Sequence, residues 1–200
     1  MAKVMSGQIP VKIDKNHLAS SARAAKEGRG PAPVHLWDPP FCGMMDMKIA
    51  RDGTWYHEGS PINRANMVRL FASILRKEGD DYFLVTPVEK VGITVQDAPF
   101  VAINFDISDQ NGDQVLTFET NVGEYAEAGP DHPIRVTRDI ETGEPSPYVL
   151  IRNNLEALID RKSFYRLVEI GEDFNVEGTL WFGIRSNGAF FPLIKSADLT

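Results

Sequence analysis

One order of elements occurs twice along this chain: strand-like runs, a single amphipathic helical run, then strand-like runs again. In the first copy, Met47-Lys48-Ile49-Ala50 and Thr54-Trp55-Tyr56-His57 flank Asp52-Gly53, a hairpin signal. Ser60-Pro61-Ile62-Asn63 reads as a helix entry, because proline is tolerated in a first turn and Ser or Asn can cap. Met67, Leu70, Phe71, Ile74 and Leu75 then recur at helical spacing until Gly79, and strands follow over 82–85 and 88–95.

In the second copy, 100–107 alternates Val101, Ile103 and Phe105 with Ala102, Asn104 and Asp106, the pattern of a half-buried strand. Asn111-Gly112 turns it into 115–120, and 134–137 is one strand within the polar stretch 123–147. Ile151, Leu155, Leu158 and Ile159 predict a helix over 148–162, with strands at 164–170, 179–185 and 189–193. The texts LFASILRKEGDDYFLVTPVE and NLEALIDRKSFYRLVE align around the two predicted helices. The expectation is an α+β fold of two related tandem domains, each an antiparallel sheet with one main helix, meeting near Asp97-Ala98-Pro99.

An extra N-terminal helix precedes them. Asp14 can cap it, Ile13 and Leu18 form a staple, and a thin face of Leu18, Ala22 and Ala25 runs on to Gly28. Residues 28–33 read as an extended linker, giving a helix and linker over 1–33 and domains over 34–98 and 99–200. Charge follows the same division. Residues 1–30 carry six Lys/Arg and two acids, a net +4, so the remaining 170 carry −11 of the total −7. A basic arm on an acidic body is expected to dock there.

That balance argues against nucleic acid as the partner, since phosphate binding needs a net basic face. With 42% apolar and 24% charged residues the chain reads as an ordinary globular protein, with no membrane-crossing run and no secretory signal. Its single cysteine, Cys42, forms no internal disulfide and suits a reducing cytoplasm. No dinucleotide, nucleotide-loop or hydrolase-elbow motif is present, so no cofactor is expected. Asp109-Gln110-Asn111-Gly112-Asp113 is a hairpin turn, because a calcium loop aligned on Gly112 would put Ile107 and Phe118 at ligand positions. His17, His35, His57 and His132 have no zinc-ligand spacing, so no metal is expected.

Several residues carry chemistry. Arg64 stands in the first turn of the helix entered at Ser60, where free N–H groups and the dipole favour an anion. Thr86-Pro87-Val88-Glu89-Lys90 breaks a strand and gathers a hydroxyl, an acid and a cation at the kink. His57-Glu58 is the most enzyme-like pair, although adjacent strand residues face opposite ways. Cys42, in a Pro39-Pro40 turn, reads as a buried thiol. Trp37, Trp55 and Trp181 read as core, with Trp37 placed to wall a cleft.

Taken together, Leu36-Trp37-Asp38-Pro39-Pro40-Phe41-Cys42-Gly43, Asp46-Met47-Lys48-Ile49, DGTWYHEGSPINR, Met67-Val68-Arg69-Leu70-Phe71 and YFLVTPVEK resemble a proteobacterial family, domain-of-unknown-function family 1285. Weaker echoes, Phe118-Glu119-Thr120-Asn121 and Phe164-Tyr165-Arg166-Leu167-Val168-Glu169, carry the likeness over about residues 36–193. The resemblance implies two α+β domains from duplication, the second superficially like a pleckstrin-homology domain. It further implies a nucleotide-like ligand at the domain interface and a role in signal transduction.

On motif-matching positions, Arg64 and its helix N-terminus are expected to hold the anion, with Lys90 as a second charge. Trp37 or His57 would stack on a base, and Thr86 and Asn121 would hydrogen-bond. The expected protein is a cytosolic, non-enzymatic module for a small anionic ligand. The alternative is a small-molecule hydrolase using His57 and Glu58, or Cys42.

Overall fold

The computed structural model describes residues 14–25 and 32–199. Its contacts separate into two compact units, which divide between Asp97 and Ala98.

The first unit begins with α1 (Lys15–Ala25), whose Asp14 cap accepts a hydrogen bond from the Asn16 N–H at 2.9 Å. The predicted Ile13 staple and the linker over 28–31 fall outside the described residues. Leu18, Ala19 and Ala22 are fully buried, and α1 packs on α2. Then come β1 (Phe41–Ile49), β2 (Trp55–His57), β3 (Ser60–Pro61), α2 (Ala65–Ser73), β4 (Leu75–Glu78), β5 (Asp81–Val85) and β6 (Lys90–Val95). Met47, Ile49, Trp55, Phe71, Leu75, Leu84 and Val91 fill the core.

Two boundaries differ from the periodicity. Ser60-Pro61 is an edge strand and not a helix entry: Glu58 and Gly59, at φ of 48° and 73°, make a tight turn that pairs His57 with Ser60. The helix therefore starts after Arg64. It also ends at Ser73, whose hydroxyl donates to the Leu70 carbonyl at 2.7 Å, so Ile74 caps it and Leu75 pairs as a strand with Leu84. Apolar residues at helical spacing can stay buried after the backbone has left the helix.

The second unit holds β7 (Phe100–Gln110), β8 (Asp113–Thr120), β9 (Tyr125–Glu127), β10 (Ile134–Arg138), β11 (Pro145–Arg152), β12 (Leu155–Ile159), α3 (Arg161–Glu169), β13 (Glu172–Val176), β14 (Thr179–Ser186) and β15 (Ala189–Lys195). The predicted helix over 148–162 is thus two strands, with Asn153 at φ 49° turning between them, and the predicted strand over 164–170 is α3. Burial over 155–159 alternates strictly, a two-residue period that Ile151, Leu155, Leu158 and Ile159 had disguised. Asp160 caps α3, accepting from the Ser163 N–H at 2.7 Å.

The duplication resides in the sheets. The first sheet has the order β3-β2-β1-β6-β5-β4 and the second β10-β11-β12-β7-β8-β9. Each consists of two three-strand meanders joined at the centre by a parallel pair, β1 with β6 and β7 with β12. Every other pairing is antiparallel. The helices do not correspond: α2 lies between the meanders of the first unit, whereas α3 follows both meanders of the second. The two aligned texts therefore cover unlike elements. A separate three-stranded sheet, β13-β14-β15, completes the second unit.

Candidate functional site

In the first unit the β2–β3 turn, the lead into α2 and the start of α1 surround an open cleft of about 380 Å³. The Ile62 N–H donates to the Trp55 carbonyl at 2.7 Å, which holds the 60–64 segment against β2. Arg64, extended at φ −88°, is the N-cap residue of α2, and no side chain caps the helix in its place. Lys15 and Asn16, in the first turn of α1, line the same cleft with His57, Ser60, Asn63 and Arg64, over a floor that includes Met67.

Two helix N-termini therefore open on one cleft: that of α2 has no side-chain cap and presents its first-turn N–H groups and partial positive charge, whereas that of α1 is already capped by the Asp14 carboxylate. The described lining residues include two full cations, Lys15 and Arg64, and no carboxylate, in a chain of net −7. Among the described residues no acid pairs with either cation. Close to the cleft in sequence, Asp14 serves as the α1 cap, and exposed Glu58 lies 3.9 Å from His57 Nδ1. The His57 side chain is only 10% exposed, and its buried Nδ1 has no hydrogen-bond partner. A buried polar atom without a partner is costly.

The other sequence-predicted residues stand elsewhere. Lys90 pairs with Glu78 at 3.0 Å and lies 4.9 Å above the Phe83 ring. Glu78 also accepts from Arg76, whose guanidinium donates to the carbonyls of Val34 and Trp37 at 2.9 and 2.7 Å. This network ties the half-buried Trp37 segment to β4. Thr86 is fully buried, and its hydroxyl accepts from the Glu89 N–H at 3.2 Å within the 86–89 turn. Asn121 belongs to the second unit, where its Oδ1 accepts from the Val101 N–H at 3.1 Å. Cys42 is half-buried and donates weakly to the Pro40 carbonyl at 3.4 Å, so it is not the buried thiol expected. It lies five residues along β1 from Met47, the residue paired with His57, roughly 15 Å away at strand rise. A Cys42–His57 pair is out of reach.

Of the predicted residues, His57 and Arg64 come together in the cleft. Sequence reasoning missed Lys15 and Asn16. The Asp14 cap signalled that they open a helix, but nothing in their neighbours tells which part of the chain that helix meets. Among the described residues no group of three or more His, Cys, Asp or Glu is placed to hold a metal, and no helix is long and apolar enough to cross a membrane.

Burial opposes ionisation of Glu78, but hydrogen bonds from Lys90 and Arg76, and their charges, outweigh it and hold the carboxyl below its ordinary value of 4.5. The unfolded chain then takes up this proton first as pH falls. The stabilisation is full above pH 4.5 and is lost as pH drops through the folded value. Glu78 is 40% exposed, so screening limits the effect to about 1 kcal/mol or less. In urea titrations below pH 4.5, wild type should lose more stability than Glu78→Gln. Parallel curves would assign the acid sensitivity to other carboxylates.

Comparison with known proteins bears on both units. Residues 32–98 match the model of the N-terminal domain of DUF1285, a domain of unknown function, and residues 99–193 match the model of its C-terminal domain. A search of curated proteins finds no match. The crystal structure of a DUF1285 family protein from Silicibacter pomeroyi DSS-3 is similar at 60% identity and a TM-score of 0.81, over 91% of this chain and 97% of that one. A DUF1285 family protein from Shewanella baltica OS155 is similar at 29% identity and a TM-score of 0.50, over 62% of this chain and 91% of that one.

Proposed function

The chain belongs to the DUF1285 family, and from that premise and the chemistry of the cleft we propose that it is a non-enzymatic module binding a small anionic, nucleotide-like ligand in its first unit. One observation carries this reading: the cleft collects Lys15, Arg64 and the uncapped N-terminus of α2 with no carboxylate among the described lining residues, although the chain as a whole is acidic. Its volume, about 380 Å³, falls in the lower range of small-molecule sites. His57 would offer a ring face or a ring nitrogen to the part of the ligand beyond the anion. A cytoplasmic role in signal transduction fits a module that binds without turnover.

Thermal unfolding with adenosine monophosphate or pyrophosphate tests the reading. A ligand at 100 times its Kd stabilises by about 2.7 kcal/mol, and wild type should show such a shift. Arg64 is exposed, so Arg64→Ala should unfold near the wild-type temperature without ligand. It should weaken binding about 10- to 100-fold, the worth of one charged hydrogen-bonding partner. An Arg64→Ala protein that is stabilised as much as wild type would remove Arg64 from the site.

Hydrolysis is the second reading, favoured by the buried His57 beside Glu58 at 3.9 Å. It requires turnover of a phosphate ester with a bell-shaped pH profile, abolished in His57→Ala.

A further inference from the structure

The cleft joins parts of the chain that hold together weakly without it. α1 has eleven residues, short for a helix that must stand alone in water. Among its described residues only Leu18, Ala19 and Ala22 are buried apolar side chains, and its ion pair, His17 with Glu89 at 3.5 Å, rests on a histidine that is 67% exposed. Such an element sits at the low end of local stability. Its first turn nevertheless supplies Lys15 and Asn16 to the cleft. This helix also precedes residue 32, where the match to the family's N-terminal domain begins, so one of the two cations comes from outside the matched segment.

We infer that a phosphoryl group bridges Lys15 of α1 and Arg64 of α2, so that ligand binding and the docking of α1 are one coupled equilibrium. This rests on the anion-binding reading above and adds two things to it, the ligand class and the regulation of the site. A phosphoryl group carries up to two charges and three acceptor oxygens, enough to meet both cations and the uncapped N-terminus of α2 at once. A single carboxylate would leave one cation unmatched. His57, whose buried Nδ1 has no hydrogen-bond partner, is a third polar side chain in the same lining. Because only the docked form of α1 completes the lining, the ligand selects that form. Coupling is reciprocal: the factor by which ligand favours docking equals the factor by which docking tightens the ligand.

The test uses the full chain with pyrophosphate as probe and two readouts, calorimetric Kd and amide hydrogen exchange. The informative amides are those of residues 20–25, the far end of α1, which touch no part of the cleft. Pyrophosphate is expected to slow their exchange about tenfold. Ala22→Glu places a charge on the buried face of α1, seven residues from Lys15 and outside the cleft lining. It should speed exchange at 20–25 without ligand and weaken pyrophosphate about tenfold. Lys15→Gln provides a second route should Ala22→Glu fold poorly. Its α1 should exchange as in wild type without ligand, yet bind about tenfold more weakly and lose the ligand-induced slowing.

Fast exchange at 20–25 in Ala22→Glu with an unchanged Kd would overturn the coupling. Ligand protection confined to residues 60–67 would do the same. If Arg64→Ala loses binding while Ala22→Glu retains it, the anion site stands and the coupling alone is wrong. If wild type binds no pyrophosphate, both fall together.

Discussion

Replacing Phe71 by alanine should cost the first unit about 3–5 kcal/mol, the range for a large buried aromatic side chain that leaves a cavity. Phe71 is completely buried on α2 and stacks against Trp55 of β2, ring centroids 6.3 Å apart and planes 26° apart. That contact holds α2 onto the sheet, and neighbours anchored on the backbone can only partly close the space. Phe71→Leu keeps most of the volume and should cost about 1.5 kcal/mol or less. Denaturant midpoints measure both, and near-ultraviolet circular dichroism reports whether Trp55 has lost its fixed surroundings. Because α2 also carries Arg64 at its start, pyrophosphate binding should weaken in Phe71→Ala even where the protein remains folded. A loss under about 1 kcal/mol would show that the core collapses around the site and that the Trp55 stack is not what holds α2.

Ser186→Ala should destabilise the second unit by about 2–4 kcal/mol although only one oxygen is removed. Ser186 is fully buried on β14. Its hydroxyl donates to the Ala128 carbonyl at 2.7 Å and accepts from the Leu116 N–H at 2.9 Å. Alanine leaves both backbone groups buried and unpaired, and water does not reach them. Two flanking bonds share the duty of joining β14 to β8, Asn187 N–H to the Gln114 carbonyl at 2.8 Å and Gln114 Nε2 to the Arg185 carbonyl at 2.7 Å. The three-stranded sheet is thereby fixed to the six-stranded one. A measurement specific to this mechanism is hydrogen exchange of the Leu116 amide, which should accelerate far more than its strand neighbours. Uniform acceleration along β8 would point to general loosening instead.

The hairpins were legible for a local reason. Asp52-Gly53, Asn111-Gly112 and Asn187-Gly188 name their turns because the backbone there needs residues that tolerate positive φ, and Asn111, Gly112, Asn187 and Gly188 all adopt it. Glu58-Gly59 and Glu177-Gly178 adopt the same conformation with a glutamate in the first place, which announces nothing. Missing the first moved the start of α2 to Ser60, and missing the second hid β13. The error over 148–170 has another origin. Four apolar residues in nine satisfied a helical period while burial followed a strand period, and the choice was made by β7, which pairs in parallel with 157–159.

The candidate site divides the same way. Arg64 was readable as a cation at a helix start and His57 as a polar residue closing a hairpin, since each depends on its immediate neighbours. Lys90, Thr86 and Asn121 were equally reactive by type, but Glu78, the 86–89 turn and Val101 engage them. A side chain's type is local, and whether its capacity is already used is not.

By itself, then, the sequence determined a duplicated α+β chain with a basic arm, an acidic body and an anion-seeking helix start, because turn chemistry, periodicity and charge act over a few residues. Only the tertiary structure decided that the repeat is one of sheet topology, with a parallel pair at each centre, and that Lys15 stands across a cleft from Arg64. Both bring together residues more than forty positions apart. They arise from burying two apolar surfaces together, and no local pattern specifies which distant surface will be the partner.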